Sequence, residues 1–152
     1  MHRRLVLPFV LLAASLLVAL PAAASQPAGP VTILTAISFE NFPFTGTFSV
    51  SEGAPLLGCS GGTFVDYPGG VQPPSHGAIA KTFTCASATG TFVANFLPTS
   101  KPGPGDGNGH WTITHTSGAF AGLHGQGDFQ VVYADDFLSG VETLTGVVHY
   151  EP

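Results

Sequence analysis

Thr91-Phe92-Val93-Ala94-Asn95-Phe96 is the stretch whose reading decides the fold. Successive side chains of a strand point to opposite faces, so Phe92, Ala94 and Phe96 share one face, and Thr91, Val93 and Asn95 share the other. Aromatic and β-branched side chains also suit a pleated, half-buried surface.

The alternation recurs on both sides of this segment, in runs of 5 to 10 residues bounded by Gly, Pro or Ser. It predicts eight strands, near 31–39, 43–50, 61–67, 78–86, 90–97, 110–116, 127–134 and 140–150. Phe42, Phe44, Phe48 and Val50 read as one face of the second strand, with Gly46 where a bulky side chain would otherwise sit. Trp111, Ile113 and His115 form a face in the sixth, and Phe129, Val131 and Tyr133 in the seventh. No segment after residue 24 holds a 3.6-residue period for ten residues, so no long helix is expected. Eight up-and-down strands close most economically into an antiparallel barrel, because closure removes exposed edges. Pro68 to Gly77 and Pro98 to Gly109 read as linkers, and the second is too rich in Gly and Pro to pack. It is expected to be a mobile surface loop, and its functional reading is a lid over the barrel mouth.

Residues 1–24 have the layout of an export signal: His2, Arg3 and Arg4, an apolar run of 16 residues from Leu5 to Leu20, then Pro21-Ala22-Ala23-Ala24 before Ser25. The run is shorter than the roughly 20 residues a spanning helix needs, and no basic cluster follows it. Cleavage after Ala24 by general secretion is expected, with no stable membrane insertion afterwards. Residues 25–30, Ser-Gln-Pro-Ala-Gly-Pro, read as a short leader, and 31–152 as a single domain. All nine acidic residues but only Lys81 and Lys101 follow residue 24, which leaves the mature chain at −7 with neutral histidines. Nucleic-acid binding is excluded for want of a basic stripe. Cys59 and Cys85 are the only cysteines, and an even pair in an exported chain predicts one disulfide. With a chain reversal near Gln72, antiparallel partners would have numbers summing to about 144, setting Cys59 opposite Cys85, Gly61 opposite Phe83, Thr63 opposite Lys81 and Val65 opposite Ile79.

The segment from Gly109 to Phe129, Gly-His-Trp-Thr-Ile-Thr-His-Thr-Ser-Gly-Ala-Phe-Ala-Gly-Leu-His-Gly-Gln-Gly-Asp-Phe, resembles the strand, glycine-rich turn, strand signature of the allene oxide cyclase and dirigent barrel families. The matching residues are Gly118, Phe120, Gly122 and Gly125, and small secreted bacterial proteins with that barrel are the nearest in kind. A weaker match spans residues 45–149 through Gly-Thr-Phe repeats at 46–48, 62–64 and 90–92. The resemblance implies the scaffold. Those families steer a lipid epoxide or a phenoxy radical with polar groups inside the barrel, and no catalytic residue carries over to this chain. Independently of the resemblance, Ser117 is suited to cap one helical turn, with Phe120 and Leu123 as an apolar plug at one barrel end. Gly122, Gly125 and Gly127 lead into a strand rather than a helix, so they are no phosphate cradle.

The remaining motifs favour bland readings. His110 and His115 lie five apart on one strand and face opposite ways, His76 and His124 lie in turns, and His149 is on the last strand, so no metal site is expected. Asp128, Asp135 and Asp136 lack the spacing of a calcium loop. Glu40 and Glu142 are not placed by the sequence across a common cleft as a glycosidase pair, and no Gly-x-Ser-x-Gly elbow occurs. The reading is therefore a secreted, disulfide-clasped, eight-stranded barrel that acts as a non-catalytic binding or cell-exterior module for a small apolar ligand, without a cofactor. The alternatives are a lipid or terpenoid isomerase or cyclase and a dirigent-like stereochemical guide. An enzyme would need a buried acid or tyrosine facing a cavity, and Glu40, Tyr133 and Glu142 are the pocket candidates, with no constellation around them expected. The sequence specifies no oligomeric state.

Overall fold

The computed structural model describes residues 26–52, 56, 58–66, 79–99 and 107–151. Eight strands, β1 (Gln26–Ser38), β2 (Thr45–Glu52), β3 (Gly61–Asp66), β4 (Ile79–Cys85), β5 (Thr91–Pro98), β6 (Gly107–Thr116), β7 (Leu123–Tyr133) and β8 (Ser139–Tyr150), pair in sequence order and close through β1 and β8. Every pairing is antiparallel, so no strand is left as an edge.

One end of the barrel is shut. The connection from β6 to β7 is a single 3-10 turn, Gly118–Phe120, which drives Phe120 fully inside, beside Leu123 at the start of β7. Gly118, which opens the turn, and Gly122, just after it, have φ of 60° and 78°, a backbone state that costs glycine nothing. Ser117 does not cap it: its Oγ accepts a hydrogen bond from the Thr91 backbone N–H at 3.1 Å and pairs with Thr91 Oγ1 at 3.0 Å, tying the turn to β5. At the same end the Cys59–Cys85 disulfide, with Leu56, covers the entry of β3. Inside, Phe83 stacks on Phe92 at 4.8 Å, with Phe48 and Phe120 edge-on. Trp111 fills the space above Gly146, where an added Cβ would lie 2.7 Å from its ring, and donates its indole N–H to Asp128 and Thr145 carbonyls.

The structure departs from expectation at several places. The disulfide forms, but β3 and β4 pair with numbers summing to 147, as in Gly62 with Cys85, Phe64 with Phe83 and Asp66 with Lys81. The shift is odd, so it exchanges faces: Phe64 enters the core, where the expected register would have placed Thr63 and Val65. Cys59 reaches Cys85 from the connection preceding β3 instead of from the ladder. Residues 26–30 are part of β1, not a leader, and pair with β8, as in Pro30 with Val147. Among the described residues, the pairing of β1 with β2 begins at Thr32. His115 leaves the face of Trp111 and Ile113 because a bulge sets Val93 against His115 but Ala94 against Ile113. Phe42 lies before β2 and is exposed. The second linker is shorter than Pro98 to Gly109, since Pro98 pairs with Gly109 and the Thr99 hydroxyl donates to Asn108 Oδ1 at 2.7 Å. Residues 1–24, the expected signal, lie outside the described residues, as do residues 67–78 and 100–106 of the linkers.

Candidate functional site

The end of the barrel opposite Phe120 carries the polar interior. Asp66 is the last residue of β3 and follows the inward-facing Phe64 by two, so it also points inside. Lys81 is its partner on β4 and shares the inward face with Phe83 and Cys85. Across β4, Lys81 faces Ala94 of β5, whose small side chain leaves the lysine stem room. On the far wall, Thr35 of β1 pairs with Glu142 of β8, again an inward row.

The lysine crosses the barrel between these walls. Its Nζ lies 3.3 Å and 3.4 Å from the two carboxylate oxygens of Asp66, and 3.2 Å from Glu142 Oε2. Glu142 Oε2 also accepts the Thr35 hydroxyl at 2.9 Å. The rings of Phe64 and Phe96 stand 4.9 Å and 5.1 Å from the ammonium and shield it from water. Lys81 and Asp66 are each 1 % exposed and Glu142 6 %. Burial pushes the Asp66 carboxyl up to about 6, against the opposing charge and hydrogen bond of Lys81, and the nearby Glu142 charge adds to the rise. Asp66 Oδ1 is buried with no hydrogen-bond donor directed at it, although the ammonium is close. The arrangement is one cation held by two carboxylates in a dry interior, which fixes all three groups and leaves a protonatable acid beside an amine.

The pocket candidates separate. Glu142 is buried in this cluster, which corrects the expectation that nothing converges around it. Tyr133 is half-buried at the mouth of the same barrel end. Glu40 is exposed in the turn after β1, where its backbone N–H faces Ser38 Oγ at 3.5 Å, and it takes no part. Asp66 and Lys81 were missed because the expected register set Lys81 against Thr63. A signal was present: the 81, 83, 85 and 64, 66 alternations put both charges on apolar faces.

Around the mouth, rings touch in series: Phe42 on Phe44, Phe44 on Phe39, Phe39 on Tyr133 and Tyr133 on Phe137, at 5.2 to 6.2 Å. Phe42 is 69 % exposed, and Phe137 and Leu138 about half. The β1–β2 and β7–β8 connections that carry them are joined by a hydrogen bond from Phe39 N–H to the Leu138 carbonyl at 2.8 Å.

The described histidines, His110, His115, His124 and His149, lie on the outer wall. His110 pairs with Asp128 at 2.6 Å, and His124 and His149 stack on each other beside Glu151. Asp136 accepts the Leu138 backbone N–H and so closes the β7–β8 turn. Among the described residues no group of three or more His, Cys, Asp or Glu is arranged to hold a metal ion, and no helix is long and apolar enough to cross a membrane. Comparison with protein-family models, curated proteins and solved structures finds no match for this chain.

Proposed function

We propose that this chain is an exported barrel module that binds a small apolar ligand at its aromatic mouth, without catalysing its conversion. The observation that carries the reading is the ring series from Phe42 to Phe137, its two ends exposed at one rim of a barrel whose other end is shut. Large apolar side chains left in water at the edge of a packed core are costly unless something covers them. The centre of the barrel is occupied by packed rings and the charged cluster, so the ligand sits at the rim. Export through a cleaved signal ending at Ala24 fits the disulfide, which persists in oxidising compartments. A scaffold of the allene oxide cyclase and dirigent type fits the closed eight-stranded barrel and the Gly118, Phe120, Gly122, Gly125 turn between β6 and β7.

A second reading, an isomerase or cyclase, draws on a different observation. Asp66 is a buried acid whose pKa of about 6 suits proton transfer near neutrality. Native mass spectrometry of the protein purified from its own host separates the two. The binding reading expects a co-purifying apolar molecule that the Phe42→Ser/Phe137→Ser variant loses while Asp66→Asn retains it unchanged. No bound molecule, together with no rim-dependent binding of an apolar fluorescent probe, would sink it. A molecule that is converted by the wild type but not by Asp66→Asn would favour the enzyme.

A further inference from the structure

We propose that Lys81 and Asp66 become joined by an intramolecular amide bond inside the barrel, with Glu142 moving the proton. The inference does not depend on what the mouth binds. It rests on the cluster of Lys81, Asp66, Glu142, Phe64 and Phe96.

Three features distinguish this cluster from an ordinary buried ion pair. First, the lysine nitrogen lies nearly equidistant from both Asp66 oxygens, at 3.3 and 3.4 Å, so it faces the carboxyl group as a whole rather than one lone pair. Both oxygens are one bond from Cγ, the atom the amine would attack, so the nitrogen is held beside the reacting carbon. Second, the two carboxylates are not equivalent. Glu142 offers Oε2 to both Lys81 and Thr35, which holds it as an acceptor. Asp66 has one oxygen with no donor, and burial favours its acid form, whose hydroxyl departs as water. Third, the site is dry and flanked by two phenylalanine rings, so charges there are poorly solvated and a neutral amide relieves that cost.

The step balances without a further reactant. Glu142 takes one proton from the Lys81 ammonium, and the freed amine attacks Cγ of protonated Asp66. The tetrahedral intermediate loses the Asp66 hydroxyl as water, carrying away a second proton from the nitrogen. A C–N bond forms, a C–O bond breaks, one water leaves, and Glu142 holds the remaining proton. Because Asp66 and Lys81 are direct partners on β3 and β4, the bond would staple this hairpin at the mouth end, as the disulfide ties it at the closed end.

Intact mass of the folded, exported protein after disulfide reduction tests the proposal. The wild type should weigh about 18 Da less than its cleaved sequence. Glu142→Gln and Asp66→Ala should each restore the full mass. Elastase cuts after Val71 and Ala78, and should release the Asp66 and Lys81 segments as one branched peptide from the wild type. A full-mass wild type after prolonged incubation of folded protein would overturn the inference, whether or not the variants fold. So would a water loss mapped to Asp106-Gly107, the chain's only Asp-Gly step, or a branch at Glu142.

Discussion

Replacing Lys81 with methionine keeps the volume of the side chain and removes the one cation that two buried carboxylates share. The informative comparison is with the triple variant Asp66→Asn/Lys81→Met/Glu142→Gln, which carries the same methionine but no charge. Neither variant can form the amide, so their difference measures the uncompensated charge alone. An unpaired buried charge costs about 3 to 5 kcal/mol. Protonation sets a ceiling: keeping Asp66 neutral costs about 1.4 kcal/mol per pH unit above its ordinary 3.8, or about 6 kcal/mol at pH 8. The triple variant should therefore be the more stable by about 3 to 5 kcal/mol at pH 8, despite its two extra substitutions. At about 4 °C per kcal/mol for a domain of this size, the gap in Tm is about 12 to 20 °C. The sign of the pH dependence follows from burial. With the lysine in place Asp66 already stands at about 6, and losing the lysine charge that lowers it moves it higher still. The unfolded carboxyl ionises first as pH rises, so the single variant loses stability from about pH 4 upward. At pH 5 the Asp66 part of the gap should fall below about 2 kcal/mol. Urea unfolding followed through Trp111, the only tryptophan and a buried one, gives both values. A single variant as stable as the triple at pH 8, or a gap that does not shrink by pH 5, would refute the account of the cluster.

Removing the disulfide with Cys59→Ala/Cys85→Ala should lower stability by up to about 3.5 kcal/mol, since the bond closes a loop with a sequence separation of 26, and calorimetry of the oxidised protein beside the variant measures it. Thr35→Val leaves Glu142 Oε2 one donor short and should cost about 1 to 3 kcal/mol in urea unfolding; Thr112→Val on the exposed wall is the matched control and should cost little. The exported protein should begin at Ser25 by intact mass, and full-length chain recovered in the membrane fraction would contradict cleavage.

The sequence by itself determined the class of fold, the number of strands and the identity of the disulfide. Alternation with period two is a property of each strand alone, so Phe92, Ala94 and Phe96 declare a buried face without reference to any neighbour. Two cysteines admit one pairing within the chain. The plug at Phe120 was legible for the same local reason, the three-residue spacing that sets Phe120 and Leu123 on one side of a single turn. Register is different, because it depends on which face of β3 meets which face of β4, and an odd error exchanges them. The tertiary structure alone placed Phe64 inside, and with it Asp66 opposite Lys81. It alone brought in Glu142, 61 residues beyond Lys81, because the barrel closes β8 onto β1 and sets that wall across from β4. Three charges scattered along a chain read as solvated residues. They become a site only when closure removes the water between them, and strand pairing and closure are properties of the whole barrel rather than of any segment.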